Sequence, residues 1–276
     1  MSVIKQIDCY NLDENTFKND FLISFEVFLY ERVFHIKFFK MKQIFVLFFT
    51  AFLLSLNSHA QLSTFTVVDY DVIKEAVSDP KSPTHYPKLM KRYLNSDVSL
   101  TADEFRLLYY GHIYQDNYEP YSAAMEHNAL SVYLQKEEIT PVDCDMIINY
   151  VNISLIDFPF NFHNLRMAIY AHHVKGNKEE ANKRMTMLNG IVDAILSSGD
   201  GKSLRTAFHV IYTPHEYEIV NILGYNAEYQ TLNNVWDIIS LSRNNDKIPA
   251  LYFNVEEMLN IYREKSEKIN SGRNSE

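Results

Sequence analysis

The sequence predicts an α+β fold, in which a helical N-terminal layer is followed by a small antiparallel β-meander and a C-terminal helix. Between residues 61 and 198, apolar residues recur with the 3.6-residue period of helices, whereas between residues 205 and 255 the period is two, as in strands. Helices that precede strands, rather than alternate with them, are typical of α+β domains. This order therefore disfavours a Rossmann-type nucleotide-binding fold.

Five to seven helices are predicted in the helical layer, and two have clear end signals. Thr101 and Glu104 form a capping box, in which each side chain satisfies a free amide at the start of a helix. Thr140 is an N-cap followed by Pro141 at the first helical position, which predicts a helix to about residue 155. The other predicted helices cover residues 72–79, 86–94, 122–135, 164–174 and 178–196.

The last two of these helices form a predicted hairpin around Gly176 and Asn177, where glycine can adopt the left-handed cap conformation. With Tyr170, Gly176 and Ala181 in place, the hairpin resembles a tetratricopeptide unit, a repeat of about 34 residues that is used for docking. No second copy precedes it in register. An ordinary antiparallel helix pair is therefore the alternative.

Four segments rich in β-branched and aromatic residues predict the strands, at residues 207–212, 216–222, 235–241 and 250–255. Turn-forming residues separate them, at 213–215, 224–226, 233–234 and 244–246. A final helix is predicted from residue 256 to about 267, before a polar tail at 270–276 that is predicted to be disordered. Residues 61–269 are thus expected to form a single domain.

Residues 41–60 have the three-part pattern of a cleavable secretory signal. A cationic start at Lys42 precedes an apolar run from Ile44 to Leu56, and small residues at Ser58 and Ala60 fit the cleavage site. The run is shorter than the roughly 20 residues that a spanning helix needs. We therefore expect export to the periplasm or medium, with a mature chain that begins near Gln61 and has no integral membrane span.

Residues 1–40 do not fit the start of a signal peptide, because they are long and carry six acidic residues among scattered aromatics. Two interpretations are open. Met41 is the true start and the upstream stretch is an over-extended reading frame, or the extension is real and turns the apolar run into an uncleaved anchor.

Composition excludes several classes of function. The chain has a net charge of −9 and lacks the concentrated basic face that a nucleic-acid-binding protein needs. Its two cysteines are Cys9, in the doubtful extension, and Cys144, which we expect to be a small buried apolar side chain. No cofactor is indicated.

The most unusual stretch is the tyrosine-rich segment from Tyr109 to Tyr121. A buried phenol needs a hydrogen-bond partner, and five tyrosines within it exceed what a core requires. The segment could line a groove for a sugar or a peptide, or its tyrosines could bridge core and solvent between two helices. The candidate ligand-binding residues are Tyr109, Tyr110, His112, Tyr114, Tyr118 and Tyr121.

A second, alternative site lies at the predicted helix-to-strand junction, where Asp200, His209 and His215 could come together. Such a set could serve a hydrolase that acts on envelope material. The Gly-rich sequence around Asp200 is not a phosphate-binding loop, since Leu196 occupies the position of its first glycine. A tight turn after a helix explains it better. The adjacent His172 and His173 cannot face one metal ion from a helix, and no metal site is predicted.

Several short motifs, in a consistent order, resemble the domain of unknown function 4919 family of secreted bacterial proteins. They are Leu107–Gly111 after Thr101-x-x-Glu104, Tyr118-x-Pro120-Tyr121, Gly199–Gly201, Thr206–Ile211 with Glu216-Tyr217, and Tyr252–Val255. The resemblance covers nearly all of the expected mature chain. It implies an exported single-domain protein and transfers no catalytic residue.

Together these features favour a non-enzymatic binding or scaffold protein of the bacterial envelope. Its helical layer would dock a protein, peptide or glycan partner, and its strands would close the domain. The envelope hydrolase with Asp200, His209 and His215 is the alternative.

Overall fold

A computed structural model describes residues 65–120 and 139–273, together with residues 130, 132, 133 and 136. The predicted signal at 41–60, the extension before it, most of the predicted helix at 122–135 and the last three residues lie outside the described residues. The chain from Phe65 onward forms one compact unit.

The described residues contain eight α-helices and two short 3₁₀ turns, the latter at His112–Tyr114 and Leu204–Thr206. The α-helices are α1 Tyr70–Ser78, α2 Tyr86–Leu94, α3 Ala102–Gly111, α4 Pro141–Asp157, α5 Phe162–Val174, α6 Lys178–Leu196, α7 Thr213–Ile222 and α8 Glu256–Arg273. Helix α8 continues six residues past its predicted end.

Both predicted helix starts are confirmed. Thr101 accepts a hydrogen bond from the Glu104 amide, and the Glu104 side chain accepts one from the Thr101 amide. Thr140 caps α4 in the same way, with Asp143 in the reciprocal position. These boxes satisfy amides that have no partner within the helix, so they fix where α3 and α4 begin.

Four strands form one mixed sheet in the order β1-β4-β3-β2. They are β1 Phe208–His209, β2 Ala227–Asn233, β3 Trp236–Leu241 and β4 Ala250–Asn254. Strands β2, β3 and β4 form an antiparallel meander, of which β3 and β4 were predicted. The strand predicted at 207–212 is present only as the two-residue β1, which pairs in parallel with β4. The α+β fold class is therefore confirmed, with a sheet that is mixed rather than purely antiparallel.

One predicted strand is wrong, and one strand was missed. Residues 216–222 lie in α7, because Pro214 stands in the first helical turn, where its fixed φ favours a helix, and the β-branched Ile219 and Val220 face the core from that helix. The missed strand β2 is largely exposed. It lacks the alternation of buried and exposed side chains that marks a half-buried strand.

Helix α3 lies at the centre of the described helices. It contacts α1, α2 and α6, while α6 packs on α5 and α5 packs on α4, so α4 lies at the outer end of the helices that the structure describes. Helix α7 packs on β2, and α6 contacts β1. The predicted α5–α6 helical hairpin is present, with Gly176 in the left-handed conformation at its turn.

Candidate functional sites

Most of the tyrosine-rich segment lies in the interior. Tyr109, Tyr110, His112 and Tyr118 are at most 1% exposed, and Tyr114 is half-buried. Tyr121 lies outside the described residues. A ligand would have to open the core to reach the four buried side chains, so the segment forms no open groove there.

The central network joins Tyr109, His215 and the carbonyl of Phe160. The Ile211 amide donates to the Tyr109 hydroxyl at 3.2 Å, and that hydroxyl lies 2.9 Å from His215 Nδ1. The other ring nitrogen, Nε2, lies 2.9 Å from the Phe160 carbonyl, which can only accept. His215 is therefore neutral with its proton on Nε2, and burial lowers its pKa to about 4.

A second buried histidine pairs with a tyrosine. His112 Nδ1 lies 2.5 Å from the Tyr86 hydroxyl, and the two rings stack at 5.7 Å. Its other nitrogen, Nε2, has no hydrogen-bond partner among the described residues. Burial, reinforced by Lys265 and His215, lowers the pKa of His112 to about 3. Burial therefore keeps the His112 imidazole neutral, although water would stabilise its charged form.

The other phenols of the segment connect separate elements. The Tyr110 hydroxyl lies 3.2 Å from the carbonyls of Ala194 and His209, and the Tyr118 hydroxyl donates to the Ile211 carbonyl. Tyr114 reaches Glu257 in α8 at 3.0 Å. These bonds tie α3 and the turn after it to α6, β1 and α8. The tyrosines thus supply both apolar bulk and the polar contacts that fix the domain.

The three residues of the alternative site are held by different partners. Asp200 Oδ1 accepts from the Lys202 amide at 3.0 Å and from the Thr206 hydroxyl at 2.5 Å, in the tight turn that the sequence predicts. His209 is partly buried, with its pKa lowered to about 4 by burial, and no hydrogen bond joins it to Asp200 or His215. The geometry therefore does not join these three residues into an acid and base pair. The hydrolase alternative stays a prediction.

A buried pair of carboxyl groups was missed by sequence reasoning. Glu216 in α7 is fully buried close to Asp237 in β3, which is 6% exposed, and Glu216 Oε1 has no hydrogen-bond partner among the described residues. Burial, reinforced by the neighbouring Asp237, raises the pKa of Glu216 well above its usual value. Gln230 donates to Glu216 Oε2 at 3.0 Å. Because both carboxyl groups are buried, the pair is closed to a substrate.

The outer face of α4 carries an exposed apolar stripe, which we define as Val142, Met146, Tyr150, Ile153 and Ile156. These side chains are between 39% and 70% exposed. At 100° per residue they fall within an arc of about 120°, and the stripe is about 21 Å long. The opposite face buries Cys144, Ile147, Val151 and Leu155 against the domain.

The apolar composition of α4 in the sequence already indicated the stripe. Helix α4 has only a narrow polar strip, formed by Asp145, Asn149 and Asn152, at the edge of the stripe. A helix that is apolar over most of its circumference is normally covered on most of its sides. The burial of Cys144 on its inner face confirms the expectation for that residue.

No group of three or more His, Cys, Asp or Glu side chains in the described part of the chain is placed to hold a metal ion. Among the same residues, none of the helices has the length and apolar character needed to cross a membrane.

Comparison with known families matches residues 71–264 to the family described as "Domain of unknown function (DUF4919)". The chain belongs to this family. The match in the DUF4919 chain runs from α1 into α8 and includes α4, the buried tyrosine network and the sheet. No curated protein and no solved structure matches the chain. The family description assigns no activity, so any function of this DUF4919 protein has to be argued from its own residues.

Proposed function

We propose that this DUF4919 protein is an exported, non-enzymatic docking protein that binds a protein partner through the apolar stripe on α4. The observation that carries the proposal is that α4 is apolar on both faces while, among the described residues, its inner face is covered and its outer face meets Tyr133, which lies against Tyr150. Exposed contiguous apolar surface costs free energy in water and marks an interaction site.

The charge of the helix indicates the chemistry of the partner. Helix α4 contains three aspartates and no lysine or arginine, although Asp143 pairs with Lys136 and Asp145 with Lys175, and the whole chain has a net charge of −9. Two copies would each bring a net charge of −9, which opposes self-association. We infer a partner that presents an apolar face bordered by Lys and Arg side chains.

The position of α4 favours docking. It ends the helical layer and is held by α5, whose hairpin with α6 is the segment with tetratricopeptide-like residues. A helix fixed along one side can offer its other side without rearrangement, which limits the entropy lost on binding. The buried His215 and Glu216 networks, by contrast, are closed to substrates, which supports a role in binding rather than catalysis.

The docking proposal is tested with matched surface variants. We expect Met146→Ser together with Ile153→Ser to weaken partner binding at least tenfold, because the centre of an interface carries most of its binding energy. Val72→Ser with Val98→Ser is the control, since both valines are exposed elsewhere to a similar degree. Co-elution from an envelope extract, with the partner identified by mass spectrometry, is the measurement.

Three outcomes would overturn it. The unmodified chain could elute alone, it could form only a homodimer, or the control variant could lose the partner as fully as the α4 variant does.

Export gives a separate prediction. The apolar run that ends at Leu56, followed by Ser58 and Ala60, is expected to direct cleavage before Gln61. Intact-mass analysis of the protein expressed in a bacterial host should find a chain that begins at Gln61 in the periplasm or medium. Replacing Ala60 by Leu should block cleavage, and a chain that keeps residues 41–60 without this change would contradict the prediction.

A further inference from the structure

A second surface, on the other side of the sheet from the helices, has the character of a ligand-binding groove. Its walls are the segment 202–205 and the outward side chains of β3 and β4. The lining residues are Lys202, Ser203, Leu204, Arg205, Ile238 and Tyr252, and the groove is a shallow depression of about 780 Å³ that is wide open to solvent. A ligand would lie on this surface with part of it in water, rather than be enclosed.

The floor of the groove follows from the register of the sheet. Ile238 in β3 pairs with Tyr252 in β4, so their side chains lie side by side on one face. Their neighbours Ile239, Leu251 and Phe253 point the other way and are buried. The outer face thus offers an aromatic ring and an aliphatic side chain to a ligand.

The segment 202–205, which carries Lys202 and Arg205, is joined to the sheet by hydrogen bonds of the residues around it. The Gly201 carbonyl accepts from the Tyr252 amide at 2.8 Å, and the Thr206 carbonyl accepts from the Asp200 and Gly201 amides at 3.0 and 2.8 Å. Gly201 has a φ of +66° and lies against Phe208, where a Cβ would clash. Lys202 and Arg205 therefore lie on a turn whose backbone is held by hydrogen bonds.

The charge of the groove contrasts with that of the chain. Lys202 and Arg205 are exposed, and among the described residues neither forms an ion pair. Two unpaired cations beside a ring, in a chain of net charge −9, are arranged to attract an anion that also has an apolar body. Arginine forms paired hydrogen bonds with carboxylate and phosphate groups, which adds geometric selectivity.

We propose that this groove binds a small organic anion, with its carboxylate or phosphate between Lys202 and Arg205 and its ring or apolar body on Tyr252 and Ile238. This site is independent of the stripe on α4, and either can exist without the other.

Phenyl phosphate is a suitable probe, because it joins a ring to an anion. Inorganic phosphate supplies only the anion, and benzyl alcohol supplies only the ring. Calorimetric titration should show saturable binding of phenyl phosphate, at least tenfold tighter than either half alone. Trp236, the one tryptophan of the sequence, precedes Ile238 by two residues on the same face, and its fluorescence should change on binding.

The variant Lys202→Gln with Arg205→Gln should weaken phenyl phosphate binding at least tenfold. Lys91→Gln with Arg263→Gln makes the same charge change at exposed positions of α2 and α8 and should bind as the unmodified protein does. The proposal is overturned by an absence of binding, by equal affinity for benzyl alcohol, or by equal losses in the two variants.

Discussion

Acidification from about pH 7 to about pH 5 is expected to remove on the order of 5 kcal/mol from the free energy of unfolding through three histidines, and the raised pKa of Glu216 offsets part of this loss. His112, His209 and His215 have pKa values of about 3, 4 and 4, because burial opposes their charged forms. An ordinary histidine has a pKa of about 6.5, so each contributes roughly 2 kcal/mol over this range. The loss is comparable with the whole stability of many domains.

The direction of this pH dependence follows from proton uptake by the unfolded chain. Below about pH 6.5 the unfolded chain binds protons on these histidines while the folded chain does not, so unfolding is favoured as the pH falls. Each such histidine gives a slope of about 1.4 kcal/mol per pH unit until its own folded pKa is reached. Urea unfolding at a series of pH values measures this slope directly.

Substituting single histidines shows which of them cause the change of the free energy of unfolding with pH. His112→Gln and His215→Gln should each reduce the slope by about one proton. A slope near zero between about pH 6.5 and about pH 4 in the variant Glu216→Gln, which lacks the opposing carboxyl group, would show that the histidines are not held neutral.

Glu216 acts in the opposite direction. Its pKa is raised, so the stability it contributes is fully present below the ordinary glutamate pKa and is lost as the pH rises towards the folded pKa. Glu216→Gln keeps the shape of the protonated carboxyl and removes this term. The variant should therefore be more stable than the unmodified protein near neutral pH and should lose more stability on acidification.

The substitution Gly199→Ala should destabilise the domain by about 3 kcal/mol or more, through overpacking against rigid backbone. A Cβ at this position would lie 2.3 Å from the Thr206 carbonyl oxygen and 2.7 Å from that of Ala207. These atoms belong to the turn that carries Asp200 and connects α6 to β1. They cannot move away without breaking the bonds that the Thr206 carbonyl accepts.

Gly224→Ala is the matched control. Gly224 has a φ of +79° and no atom within 4 Å of an added Cβ, so only the cost of a left-handed residue, about 1 kcal/mol, is expected there. Thermal unfolding of the two variants compares these costs. If Gly199→Ala were no worse than the control, the close approach of the turn would be contradicted.

Local signals in the sequence predicted the helices well and the sheet less well. Thr101 and Thr140 sit in cap motifs whose chemistry is complete within four residues, so α3 and α4 could be placed without tertiary information. In α7, β-branched residues favoured a strand, but Pro214 begins a helix there. The parallel pairing of β1 with β4 depends on contacts between residues far apart in sequence, which no local pattern reports.

The interior sites were the hardest to predict. Tyrosine is suited equally to a binding surface and to a core, and only the folded structure shows that Tyr109 and Tyr110 each find an interior partner. The proximity of Glu216 and Asp237 likewise depends on packing α7 against the sheet. The apolar outer face of α4 differs, because the helix and its composition are both visible in the sequence.

Site-specific photo-crosslinking in a host that exports the protein would test the docking surface most directly. A photoreactive amino acid at position 146 or 153, at the centre of the stripe on α4, should form an adduct of one defined mass with a protein rich in Lys and Arg. The same group at position 72, which is exposed on α1, should form none. An absence of adducts at both stripe positions, or adducts only with a second copy of the chain, would contradict the proposed docking function.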